Sequence, residues 1–173
     1  VTQGKNRIIE YYNSRCDFIL TEAKKEANNR KFDSAIYRLT EVPEVCKECF
    51  DKSMDLAVQI FSQKIELECE QNIASAKSNI AADNWDLATE KLALITPDLK
   101  CYNKAADILK SIENHRCSVN LSKARVAYAA RNYDLAAKFL GSVSSDSGCY
   151  ENSKSLFNDL VAKTDEIDRR NFS

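Results

Sequence analysis

Three near-copies of one phrase run through this chain: KFDSAIYRLTEV from Lys31, NWDLATEKLALI from Asn84 and NYDLAAKFLGSV from Asn132. No other feature constrains the fold as much, because self-similarity of this length signals one supersecondary unit stacked on the next. The match extends beyond the quoted words. Each unit opens with a cysteine (Cys16, Cys69, Cys117), and an alanine follows two turns later (Ala23, Ala76, Ala124). Next come an aromatic and an aspartate (Phe32-Asp33, Trp85-Asp86, Tyr133-Asp134) and a second alanine (Ala35, Ala88, Ala136). A leucine (Leu39, Leu92, Leu140) and a β-branched residue (Val42, Ile95, Val143) continue the set. A second cysteine backed by an aromatic closes it: Cys49-Phe50, Cys101-Tyr102 and Cys149-Tyr150. The chain therefore divides into units of approximately 16–68, 69–116 and 117–173, with 1–15 as the end of a preceding helix.

The step from Cys16 to Cys69 is longer by five than the step from Cys69 to Cys117, and the difference identifies the element between them. One extra residue precedes Cys49, near Pro43, and the other four fall between Cys49 and Cys69. Four residues are about one helical turn, so the insertion lengthens a helix while nearly keeping its buried face. Small or apolar residues four apart, at Ala23 and Ala27, Ala76 and Ile80, Ala124 and Tyr128, repeat the helical stripe. The polar ANNRK, AADN and AARN mark tight turns, and Asp33, Asp86 and Asp134 suit the first turn of the helix that follows. Pro43 and Pro97, or Gly141 with its serines, are expected to end that short helix. Long helices are expected over roughly 48–82 and 99–130, with outer ones over 3–30 and 149–171 and short returning helices between them. Only 3 Gly and 2 Pro among 173 residues leave too few turn formers for a sheet protein, so the fold class is all-α.

The two alanines of each unit, with an aromatic and aspartate just before the second, resemble the core of a tetratricopeptide repeat. In that family a small residue on one helix packs against a small residue on the next, with an aromatic wedged beside the turn. Ala23/Ala35, Ala76/Ala88 and Ala124/Ala136 occupy those small positions. Glu22, Ser75 and Lys123 stand where the family has leucine, and the period here is longer than the family's. The resemblance implies an α-solenoid of three TPR-like helical hairpin units, long and short helices alternating, with Phe32, Trp85 and Tyr133 as core wedges. The Cys-aromatic motif also resembles repeat proteins of gut Bacteroides and their phages, which implies no function.

Basic residues number 25 and acidic ones 26, mixed along the chain, so nothing in the charge calls for nucleic acid or an anionic membrane. No apolar run reaches the roughly 18 residues of a membrane helix, so membrane insertion is not expected. The opening Val1 reads as a processed or trimmed start. Cysteine chemistry is what remains. Six of the 7 cysteines hold two equivalent positions per unit, and helix lengths bring each pair to the same height on neighbouring segments. The expected disulfides are Cys16–Cys49, Cys69–Cys101 and Cys117–Cys149, against the alternative of small buried core thiols. If they form, the protein matures outside a reducing cytosol, in a periplasm, at a surface or in a virion.

Cys46 is left over in the motif CKEC. A redox relay wants that motif where a strand meets a helix, and zinc needs two more ligands when His115 is the only histidine. Asp98 and Asp146 sit at or beside the equivalent place, so Cys46 is expected in a solvated loop as a free or intermolecular thiol. His115 reads as an exposed helix side chain. No phosphate loop, nucleophile elbow, metal set or cofactor motif is present, and the chain is not expected to be an enzyme. The expected function is a non-catalytic interaction or assembly scaffold for a protein or peptide partner. The alternative is a structural component of a cell-envelope complex or phage particle, with homo-oligomers formed through the intact chain.

Overall fold

In the computed structural model, which describes residues 2–171, the long–short alternation expected from the repeat is present as seven helices among the described residues. The long ones are α1 (Thr2–Asn28), α3 (Lys47–Ala81), α5 (Tyr102–Ala129) and α7 (Tyr150–Asn171). The short ones are α2 (Phe32–Thr40), α4 (Trp85–Ala93) and α6 (Tyr133–Gly141), each of 9 residues. No strand occurs among the described residues. The inserted turn is helical: Cys49 and Cys69 both lie within the 35 residues of α3. The short helices stop ahead of Pro43 and Pro97 rather than at them, with Glu41 and Leu94 as helical C-cap residues.

The described residues fall into two compact units, the first running to Asn72 and including Leu99–Cys101, the second made of Ile73–Asp98 and the residues from Tyr102 onward. In the first unit, Ala23 and Ala27 of α1 meet Ala35 and Leu39 of α2, and Leu56, Ala57 and Ile60 of α3 complete the cluster. Alanine at 23 and 35, both at zero exposure, removes the side-chain bulk that would hold the helices apart. In the second unit, α5, α6 and α7 all contact one another, and α4 packs on α5. Leu121, Ala124 and Leu140 form one buried cluster there, and Ala127, Ala136 and Leu160 form another. Ala76 and Ala88, the same positions in the middle copy, also have zero exposure.

The turn between each long helix and the short one after it closes in the same way three times. Arg30, Asp83 and Arg131 each take φ of 60°, the left-handed region. Lys31 N–H then reaches back to Glu26 O at 2.9 Å, Asn84 to Asn79 O at 2.8 Å and Asn132 to Ala127 O at 2.9 Å. That bond, paired with a shorter-range one from the left-handed residue itself, is the Schellman closure of a helix C-terminus. Glycine usually fills such a place, and here it is absent from all three.

Candidate functional site

The cysteines are brought together in three pairs, with the sulfurs of each pair at disulfide distance. Cys16 of α1 lies against Cys49 of α3 with 5.7 Å between their Cα atoms. Cys69 lies against Cys101 at 6.4 Å, and Cys117 against Cys149 at 6.0 Å, all within the reach of a disulfide. Ser147 Oγ donates to Cys117 Sγ at 2.9 Å beside the third pair.

Cys46 is unpaired but is not in a solvated loop. It is 1% exposed, in a cluster with Cys16, Val42 and Cys49, against which Ile9 and Tyr12 of α1 also pack. Its Sγ lies 3.9 Å from the carbonyl of Ile8. The burial comes from α1, which reaches back past Cys16 and covers the start of α3. A thiol so enclosed is out of reach of a second molecule in this conformation.

The aromatic positions are half-buried rather than core. Phe32 packs at the edge of the α1–α2–α3 cluster and Tyr133 beside Ala127 and Ala136. Trp85 lies flat on His115, with ring centroids 3.8 Å apart and planes 11° apart. Its Nε1 donates to the Asp83 carboxylate. His115 is exposed, as its polar setting suggests, yet it is held by this stack. Around the stack is an open depression of about 450 Å³, lined also by Arg116, Asn120, Ser142 and Ser144.

The aspartate after each aromatic has a definite use in two copies. Asp33 accepts from Lys64 of α3 at 2.7 Å, raising the lysine pKa above its usual value. Asp86 accepts from Arg116 of α5 at 2.5 Å. Both cations stand at the same step beyond the second cysteine of their unit, and the third copy has Thr164 there. In the first hairpin the Arg38 guanidinium, hydrogen-bonded to Glu26, holds that carboxyl below its usual range. Among the described residues, no three His, Cys, Asp or Glu side chains converge as a metal set. No helix among them is long and apolar enough to cross a membrane.

No known family model matches the chain, and neither a curated protein nor a solved structure does.

Proposed function

We propose that this chain is a TPR-like α-solenoid that acts as a non-catalytic interaction or assembly scaffold, presenting helical surfaces to a protein or peptide. One contrast carries the reading: the alanine and leucine positions that close each hairpin repeat across the three copies, while outward positions beside them vary. The alanines at 23, 76 and 124 and at 35, 88 and 136 all have zero exposure, and Leu39, Leu92 and Leu140 are at most 6% exposed. Position 126, by contrast, is an exposed valine where the other copies have Lys25 and Ser78. A repeated core with varied outer residues fits a fold that holds a shape while its faces serve different contacts. An enzyme would concentrate its diversity at one cleft with converging acid–base or nucleophilic groups. The three cysteine pairs at disulfide distance support maturation in an oxidising compartment outside the cytosol.

Affinity purification of the intact chain from its native source, read by mass spectrometry, tests this. One protein recovered in fixed stoichiometry is the expected result. A defined homo-oligomer with no second protein would favour a structural component of an envelope complex or phage particle. Recovery of neither would sink the scaffold reading.

A further inference from the structure

An apolar groove of about 350 Å³ runs between α5 and α6, lined chiefly by Val126, Ala127, Ala130, Leu135 and Phe139. Val126 is 69% exposed and Leu135 39%. The internal repeat supplies a comparison for this surface. Where the third hairpin has Val126, Ala127, Leu135 and Phe139, the first has Lys25, Glu26, Ser34 and Arg38. There, Arg38 Nη2 donates to Glu26 at 2.5 Å and Ser34 Oγ donates to the same carboxylate at 3.2 Å, so charge bridges the corresponding cleft. The middle copy has Ser78, Asn79, Leu87 and Lys91. All three hairpins share the buried alanines and leucine, so closing the helix pair does not require apolar residues outside. The first hairpin bridges this cleft with polar groups, whereas the third leaves an open apolar groove there.

Charge narrows the occupant. From Ser118 to Gly141 the basic Lys123, Arg125, Arg131 and Lys138 outnumber the single acid Asp134, a net of +3 in a chain of formal charge −1. Over the matching 70–93, Lys77 and Lys91 stand against Glu70, Asp83, Asp86 and Glu90, a net of −2. Lys123 Nζ lies 5.7 Å from the centre of the Phe139 ring, which puts an ammonium at the groove itself. A small polar ligand would find few groups to orient it there, whereas large side chains on a helix or extended peptide fit such a slot.

We infer that the α5–α6 groove binds an acidic amphipathic peptide segment of a partner protein. One or two large apolar side chains of that segment sit over Val126, Leu135 and Phe139, and its carboxylates lie near Lys123 and Lys138. This rests on the scaffold reading and names the face and the chemistry of its partner.

The test is selection of a random dodecapeptide library on the intact oxidised chain, followed by titration of labelled selected peptides. Selected peptides should be rich in Asp or Glu together with Leu, Phe or Trp. Val126→Glu should weaken their binding at least about 10-fold, as loss of one anchor contact does. Because Val126 is largely exposed, circular dichroism of that variant should match the parent. Lys123→Glu with Lys138→Glu should turn the preference toward basic peptides, which a merely structural role for these lysines would not do. Peptides that bind equally well to Val126→Glu would overturn the groove while leaving the scaffold reading standing. Failure to select any peptide would count against both. Binding to phosphatidylserine vesicles abolished by Val126→Glu would overturn the proposal in favour of a membrane surface. Concentration-dependent self-association abolished by the same variant would overturn it in favour of a second copy.

Discussion

Ser53 shows how finely a single repeat position is set. Its side chain is fully buried and its Oγ has no hydrogen-bond partner. The two equivalent positions avoid that cost by different means. Ala105 has no polar atom to satisfy, and Ser153 Oγ donates to Cys149 O at 3.2 Å. A buried hydroxyl without a partner loses its hydration and regains nothing, so Ser53→Ala should stabilise the chain by about 1 kcal/mol. Ser153→Ala, which removes a hydroxyl that is bonded, should be neutral or mildly destabilising. Urea unfolding midpoints of the two variants settle the comparison. A loss of stability in Ser53→Ala would mean that the hydroxyl is satisfied in solution.

At the scale of elements, the repeat was legible because helix length and cysteine spacing are coupled. The stretch from Cys49 to Cys69 on α3 is four positions longer than the stretch from Cys101 to Cys117. At about 100° per residue the two spans turn about 200° and about 160° beyond whole revolutions. Both spans carry the second cysteine to nearly the opposite side of its helix from the first, with Cys101 standing immediately before α5, which is why an insertion of four is tolerated. The turns were harder to read. A glycine would have announced the left-handed residue, but the chain places Arg30, Asp83 and Arg131 there. The burial of Cys46 was not legible either, because its cover comes from α1, including Ile9 and Tyr12, far away in sequence. The groove residues Val126, Leu135 and Phe139 each read alone as ordinary helix positions. Val126 and Phe139 stand out only against the polar residues that hold those positions in the other two copies. The non-glycine turns carry a test. A left-handed arginine costs about 1–3 kcal/mol, and the extra freedom of unfolded glycine offsets about half of that. Arg131→Gly and Arg30→Gly should therefore each raise stability by about 1 kcal/mol. Asp83→Gly should gain less, since aspartate tolerates this region and its carboxylate accepts from Trp85. Thermal melts of the three variants measure the order, and a lower melting temperature for Arg131→Gly would argue against the left-handed turn.

For the molecule as a whole, the cysteine pairs connect elements that sequence order keeps apart. Leu99–Cys101 belongs with the first unit although the residues on either side belong to the second, and Cys101 lies against Cys69 there. The two members of each pair are 32 or 33 positions apart in sequence. On the chain-entropy account a loop of that length restricts the unfolded chain enough to stabilise by roughly 2–4 kcal/mol. Reduction should therefore lower the melting temperature, while alanine and leucine packing keeps the chain helical by circular dichroism. The seventh cysteine makes the pairing countable. Cys46 is 1% exposed, so alkylation of the native oxidised protein should modify no thiol. Alkylation after denaturation without reductant should modify one, and peptide mapping should place it at Cys46. Rapid labelling of Cys46 in the native state would show that α1 does not cover it in solution. Seven reactive thiols in a fully oxidised sample would overturn the pairing, and with it the inference about compartment. A bridge between Cys46 and Cys49 would leave Cys16 as the labelled residue and restore CKEC as a redox candidate, an outcome that the placement of Cys16 against Cys49 argues against.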